Sequence, residues 1–126
     1  MMWMTKLMLM TAMLSEAGAM PNPSPLLGTW TEINGPGAAR IEPCRTTPGR
    51  LCATGLARRP NGQPGQTETG LVLSDVTLDG PNRWRGTYHD GKRLLPATLR
   101  LMSPRVVEMK VCILMFCQTA QYARAA

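Results

Sequence analysis

The segment RWRGTYHDGKRLLPATLRL, residues Arg83–Leu101, decides the fold. Its Asp90-Gly91 dipeptide accepts the positive φ angles of a type I′ turn, which joins two antiparallel strands through a tight loop. After this turn every second residue from Leu95 to Leu101 is apolar. A period of two indicates a strand with one buried face and one solvated face. The segment therefore predicts a tight hairpin within an antiparallel sheet.

The same pattern extends over the rest of the chain as short runs of β-forming residues separated by glycine and proline. Eleven prolines and twelve glycines disfavour long helices, and no segment keeps a helical apolar repeat for three turns. Eight short strands at close spacing are typical of a small all-β barrel or sandwich. The predicted strands are Leu27–Glu32, Ala38–Cys44, Leu51–Ala57, Leu71–Val76, Arg83–His89, Leu94–Leu101, Arg105–Cys112 and Cys117–Arg124.

The first nineteen residues have the organisation of a signal peptide. A single lysine within Met1–Lys6 is followed by the apolar run Leu7–Leu14 and by the small-x-small cleavage pattern that ends at Ala19. The apolar run is too short for a membrane-spanning helix, which needs about 20 residues. The alternative is an amphipathic or buried amino-terminal helix. We expect a cleaved signal peptide over 1–19 and a single domain over 20–126.

Four cysteines, Cys44, Cys52, Cys112 and Cys117, predict two disulfide bonds, because disulfides persist in oxidising compartments outside the cytosol. Three pairings are possible. The local one, Cys44 with Cys52 and Cys112 with Cys117, is favoured because each pair flanks a predicted strand-turn-strand segment. A four-cysteine zinc site usually uses closely spaced cysteine pairs, which the longer intervals in this chain do not match. Together with the leader, the cysteines predict an exported protein, either periplasmic or secreted.

The net charge of +6 is unchanged by loss of the leader, which holds one lysine and one glutamate. The arginines are scattered, with only Arg58-Arg59 and Arg83-x-Arg85 as small groups. Nucleic-acid modules gather such charge on one face and combine it with aromatic residues. We therefore expect no nucleic-acid partner and at most a peripheral contact with an anionic membrane surface.

No recognisable catalytic motif is present, and we expect a protein that is not an enzyme and has no cofactor or metal. The lone histidine, His89, lies beside the predicted tight turn, where a solvated side chain is the usual case. Glu32 and Glu42 could face one another across the first hairpin, but such a pair is more often solvent-facing than catalytic. The chain has neither a GxSxG elbow nor a glycine-rich phosphate loop.

The two ends of the predicted sheet hold a tryptophan and an arginine. Gly28-Thr29-Trp30 opens the first strand, and Arg124 closes the last. In a closed barrel these strands become neighbours, so that the guanidinium could lie across the indole and plug one end. Spacing alone favours the simpler alternative, in which Trp30 is an ordinary core residue and Arg124 is a frayed terminal one.

This Gly-x-Trp with a distant arginine resembles the signature of the calycins, the lipocalins and their relatives. From Leu26 to Arg124 the chain is also similar to the bacterial family called domain of unknown function 2147. The matching motifs are LLGTW at Leu26–Trp30, IEPC and LC around the first two cysteines, GLVL at Gly70–Leu73, the hairpin Trp84…Asp90-Gly91-Lys92 and the ending VCILxFC at Val111–Cys117. The resemblance implies a small exported, lipocalin-like up-and-down barrel of about eight strands with room for a small apolar ligand.

The first functional hypothesis is a non-enzymatic ligand-binding protein of the bacterial envelope. Trp30, Trp84, Tyr88 and Arg124 are the candidate ligand-binding residues, because aromatic side chains with one arginine suit a mostly apolar site with a polar anchor. Trp84 and Tyr88 share one strand face, which lines a cavity if it points inward and forms a patch for a partner if it points outward.

Two other hypotheses need no cavity. Arg58–Thr69, RRPNGQPGQTET, is polar and rich in glycine and proline, and predicts the one long loop of the domain. That loop could serve a periplasmic hydrolase inhibitor or a structural barrel that braces an envelope complex. The third hypothesis is a factor that only coats anionic surfaces by means of its basic charge.

Overall fold

The computed structural model describes residues 24–125, which form a closed barrel of eight antiparallel strands. Neighbours along the chain are neighbours in the barrel, and the last strand pairs with the first. This confirms the all-β prediction and decides between barrel and sandwich. The predicted signal peptide lies outside the described residues, among which no helix is long and apolar enough to span a membrane. The strands are β1 (Gly28–Glu32), β2 (Ala38–Pro43), β3 (Leu51–Arg58), β4 (Pro64–Gly80), β5 (Arg83–Asp90), β6 (Arg93–Ser103), β7 (Val106–Ile113) and β8 (Phe116–Arg124).

Because the strands run up and down in chain order, alternate connections lie at the same end of the barrel. The turns at 33–37, 59–63, 91–92 and 114–115 share one end, which we call the open end. The other end, called the closed end, holds the remaining three connections, the approach to β1 and the last residues of β8.

The prediction of one long loop over Arg58–Thr69 is wrong. β3 continues through Arg58 and β4 begins at Pro64, so only 59–63 connect them. β4 has 17 residues, and its pairing with β3 shifts register at several points, one of them beside Gly70 at φ 125°. These irregularities allow a glycine-rich segment to pair, because a bulge absorbs an extra residue without ending the ladder. Pairing with β3 thus outweighs the preference of these glycines and prolines for a loop.

The hairpin at Asp90-Gly91 forms, but one position later than predicted. Asp90 is the last residue of β5 and pairs with Arg93, so the two turn residues are Gly91 and Lys92. Gly91 has φ 61°, and Lys92 does not have a positive φ. A positive φ at only the first turn residue matches a type II′ turn, with glycine at that position, rather than type I′.

The inward faces of the strands form one core, as the alternation predicts. On β6, Ala97 and Leu99 are buried while Arg100 is exposed. Gly86 allows β5 to approach β4 closely: a Cβ atom there would lie 2.8 Å from Cγ2 of Val76. The buried core consists of Leu26, Trp30, Ile41, Ala53, Leu73, Val76, Trp84, Ala97, Leu99, Val107 and Met109.

The contact between Trp30 and Arg124 forms the closed end. The Arg124 guanidinium lies over the indole at 4.3 Å from its centroid, and the two residues pair in register on β1 and β8. The guanidinium also donates hydrogen bonds to the carbonyl oxygens of Leu27 at 2.8 Å and of Pro25 and Pro104. The indole Nε1 donates to the Leu26 carbonyl at 2.9 Å. Arg124 is therefore an ordered part of the closed end and not a frayed terminus.

Each disulfide joins the two strands of one hairpin. Cys44 bonds with Cys52 across the β2–β3 connection at the closed end, and Cys112 bonds with Cys117 across the β7–β8 turn at the open end. This is the pairing that the strand-turn-strand positions favoured. Two disulfides are consistent with an oxidising, exported environment.

We expect Arg124→Gln to lower the free energy of unfolding by about 2–3 kcal/mol, because it removes the cation–π contact and charged hydrogen bonds to three carbonyls. Arg124→Lys should recover less than half of this loss, since an ammonium cannot supply the planar fork. Urea denaturation measures both. Arg105→Gln, at the same end, is the matched control and should change the value by about 0.5 kcal/mol or less. A lysine variant as stable as wild type would contradict this account.

Candidate functional site

A cavity of about 450 Å³ lies inside the barrel and reaches the open end. Its lining runs from the buried indole of Trp30 to Pro36 and Arg58, which lie beside open-end turns. The volume falls within the ~300–1,000 Å³ that is usual for small-molecule sites. Most of the wall is apolar and includes Ile41, Ala53, Leu73, Leu99, Val107 and Met109.

Small residues on β3 create part of this space. Ala53, Gly55 and Ala57 all line the cavity, where larger side chains would project into it. Gly55 also allows β4 to approach, because a Cβ atom there would lie 2.4 Å from Oγ1 of Thr69. The small side chains of β3 therefore do two things: they leave room inside, and they bring the neighbouring strand close.

A carboxylate and a phenol lie at the neck of the cavity. Glu32 and Tyr122 are opposite one another in the β1–β8 register, and both line the cavity. The Glu32 Oε1 accepts a hydrogen bond from the backbone N–H of Gly37 at 3.0 Å. Gly35 makes room for this carboxyl group, since a Cβ atom there would lie 2.3 Å from Glu32 Cδ. The turn after β1 therefore folds around the carboxylate and fixes its position.

Burial raises the pKa of Tyr122 to about 12, with further contributions from the negative charge of Glu32 and from Tyr88. The phenol therefore stays protonated over the physiological pH range and can donate a hydrogen bond. The ionised carboxylate of Glu32 can only accept one. A ligand group that both donates and accepts, such as a hydroxyl or an amide, is complementary to this pair.

Arg58 supports the same end of the barrel. Its two terminal nitrogens donate to the carbonyl oxygens of Gly35 and Glu32, each at 3.0 Å, so that the end of β3 holds the turn after β1 in place. The remaining donor, Nε, is buried and has no hydrogen-bond partner. An unpaired buried donor is costly, and one at a cavity wall is a candidate contact for a bound polar group.

A second cavity of about 490 Å³ adjoins the first at the open end. The two share Glu32, Tyr88, Met109 and Tyr122 in their linings. The second one extends from these residues past Arg93 to Phe116 beside the β7–β8 turn. The carboxylate and the phenol thus lie between a mostly apolar inner space and a more polar outer one.

Of the four residues chosen from the sequence, the cavity brings two together. Trp30 and Tyr88 line it. Trp84 points inward, on the same face of β5 as Tyr88, but it is buried in the core beside Leu99 and does not line either of these cavities. Arg124 lies at the closed end, where it covers Trp30 from the side away from the opening.

Three site residues were not selected from the sequence: Glu32, Arg58 and Tyr122. The suggestion that Glu32 faces Glu42 is wrong, because β1 pairs Gly28 with Ile41 and so places the two glutamates at opposite ends. A usable signal was the turn INGPG directly after Glu32, whose glycines leave the space that a folded-back carboxyl group needs.

His89 is half-buried rather than simply solvated. Its Nε2 lies 2.8 Å from Oγ of Ser74, across the β4–β5 pair. Ser74 follows the buried Leu73, so this pair lies on the outer face of the barrel, away from the cavity. Among residues 24–125 no group of three potential ligands could hold a metal ion.

Comparisons of the chain with known protein families, with curated proteins and with solved structures found no match. The geometry of the open end is therefore the principal support for a functional assignment.

The raised pKa of Tyr122 gives the first test of the site. The unfolded chain should release this proton near pH 10 and the folded barrel near 12, so the neutral phenol stabilises the fold fully below pH 10. That contribution should then be lost as the pH rises from 10 to 12. Subtracting the tyrosinate absorbance titration of Tyr122→Phe from that of wild type should leave a midpoint near 12. Glu32→Gln should lower this midpoint because it removes the neighbouring charge. An unchanged midpoint in Glu32→Gln would show that the two groups do not interact.

Proposed function

We propose that this protein is a non-enzymatic carrier of a small, mostly apolar ligand with one polar, uncharged end. The observation that carries the proposal is the 450 Å³ apolar cavity, open at one end, with Glu32 and Tyr122 at its neck. The ligand enters from the open end, and its apolar part packs toward the indole of Trp30.

Apolar burial supplies part of the affinity. A ligand that loses about 250 Å² of apolar surface gains roughly 6 kcal/mol, at about 25 cal/mol per Å². By itself this corresponds to a dissociation constant of tens of micromolar. Tighter and more selective binding depends on the polar neck.

The neck favours a neutral hydroxyl or amide group. Such a group donates to the Glu32 carboxylate and accepts from the Tyr122 phenol, so that the ligand group and both of these side chains are hydrogen-bonded. A ligand carboxylate can only accept, and it brings a second negative charge close to Glu32. The substrate class we propose is therefore an apolar alcohol or amide rather than a free fatty acid.

The setting we propose is the bacterial envelope. Two disulfides and the leader-like residues 1–19 favour an exported protein, and the net positive charge suits an anionic envelope surface. The resemblance to the lipocalins and to domain of unknown function 2147 supports a binding function of the same kind, and remains a hypothesis based on the quoted motifs.

The alternative of a hydrolase inhibitor or structural barrel relied on an Arg58–Thr69 loop. With β4 beginning at Pro64, the free segment is reduced to the turn 59–63. Nothing in the described part of the chain favours this alternative over a carrier.

The proposal can be tested with N-phenyl-1-naphthylamine, a neutral apolar fluorophore with one N–H donor. We expect its fluorescence to rise on binding to the wild-type protein with a micromolar dissociation constant. Ala53→Leu places three more carbon atoms in the cavity. It should weaken binding of the probe at least about tenfold, because the apolar part of the probe that these atoms displace is no longer buried. Fluorescence titration at neutral pH measures the change.

Thr54→Leu is the matched control, because it adds the same side chain to the adjacent residue of β3, which does not line the cavity. It should alter the dissociation constant by no more than about twofold. Thermal unfolding of both variants checks that each is folded. Absence of probe binding to wild type, or equal binding by Ala53→Leu, would rule out a ligand in this cavity.

A further inference from the structure

The tip of the β7–β8 hairpin exposes a run of apolar side chains. Leu114 is 92% exposed, Met115 83% and Phe116 74%, and Ile113 beside them is also exposed. Single exposed apolar residues are ordinary on protein surfaces. Four exposed apolar residues in succession at the tip of one hairpin lower the solubility of a protein unless another surface covers them.

The backbone of this turn is strained in a way that its sequence does not relieve. Leu114 has φ 57°, a region that a bulky L-residue seldom adopts and that glycine or asparagine adopts easily. The turns of this chain use those residues elsewhere: Asn34, Asn82 and Gly91 all have positive φ. A leucine at this position therefore disfavours the local conformation. A leucine in this conformation points to a use for the side chain, since strain of this kind is concentrated at functional sites.

The two strands are cross-linked directly next to the tip. Cys112 and Cys117 are opposite one another in the ladder and are joined by a disulfide, with Cα atoms 4.0 Å apart. The four residues beyond this bond form the end of the hairpin. Ile113 and Phe116 also line the outer cavity, so the tip stands at the entrance to the proposed ligand site.

The neighbouring turn at the open end supplies positive charge. Because β6 lies next to β7, the 91–92 turn is adjacent to the tip. It presents Lys92, which makes no ion pair with any residue of the described range. The Arg93 that follows is paired with Asp90, and Leu94 is exposed. Apolar side chains next to an unpaired lysine are complementary to an anionic bilayer, whose headgroups attract lysine and whose interior accepts leucine and methionine.

We propose that the hairpin tip Ile113–Phe116 inserts into the surface of a bilayer containing anionic lipids, with Lys92 against the headgroups and the open end facing the membrane. This deepens the proposed function, because it places the entrance of the cavity against a source of apolar ligands. The apolar tip provides the anchor, and the lysine adds a preference for anionic lipid.

Sedimentation with sucrose-loaded vesicles tests the proposal, using the full mature chain with its disulfides intact. Wild type should partition onto vesicles of phosphatidylcholine with 30% phosphatidylglycerol, and less onto phosphatidylcholine alone. Leu114→Gly with Met115→Ser should lower the partition coefficient at least about tenfold, because two side chains lose their burial in lipid. The same variant should be as stable as wild type or more so, since glycine relieves the positive φ.

One further variant tests the contribution of the lysine charge, and another is the control for loss of an exposed leucine. Lys92→Gln should weaken binding about fivefold on the anionic vesicles and leave binding to neutral ones unchanged. Leu78→Ser removes another leucine, 67% exposed near the closed end, and should leave partitioning within about twofold of wild type.

Wild type that remains in the supernatant with both vesicle types would overturn the proposal, as would equal losses in the Leu78 and hairpin-tip variants. Either result would leave a protein partner as the surface that covers the tip. The naphthylamine titration tests the carrier function separately from membrane binding, because the tip variant should still bind the probe in the inner cavity. If instead vesicle binding is found and probe binding is not, the membrane proposal stands and the carrier proposal falls.

Discussion

The barrel depends on the seam at which β8 meets β1. Only three residue pairs are in register there, Trp30 with Arg124, Thr31 with Ala123 and Glu32 with Tyr122. The preceding ladder between β7 and β8 has eight. So short a ladder closes the barrel with few backbone hydrogen bonds. The Arg124 side chain strengthens this ladder by donating hydrogen bonds to carbonyl oxygens of the segment that leads into β1.

The register of the seam also sets the two ends of the interior, with Trp30 as the floor and the Glu32–Tyr122 pair as the neck. A slip of one residue would turn all of these side chains to the opposite face.

Most of the fold could be predicted from local sequence because the relevant signals are local. Alternation in Leu95–Leu101 identifies a half-buried strand without reference to the rest of the chain, and Asp90-Gly91 marks a turn within one position of where it forms. The Arg58–Thr69 stretch was predicted incorrectly for the converse reason. Its glycines and prolines favour a loop, and only the presence of β3 alongside converts residues from Pro64 onward into a strand with bulges.

The site was harder to predict because it depends on register between distant strands. Glu32 and Tyr122 are far apart in sequence, and nothing in either neighbourhood indicates the other. Trp84 and Tyr88 show the complementary difficulty: they share one face of β5, as the period of two predicts, and that face points inward, but the two residues lie at different depths in the barrel. Periodicity gives the face of a strand and not the depth at which the core is filled. Depth is set by the partners on neighbouring strands, such as the buried Leu99 opposite Trp84.

The two ends of the barrel use apolar residues in opposite ways. At the closed end Leu26 and Trp30 are buried, and a guanidinium covers the indole. At the open end small side chains leave an unfilled cavity, and leucine occupies a strained turn position while fully exposed. Larger residues on β3 and glycine at the tip would both favour a more stable monomer. Both destabilising features, the unfilled cavity and the exposed leucine, occur at the open end around one entrance. A ligand that fills the interior and a lipid surface that receives the tip would remove both, which is why we assign them to a single functional face.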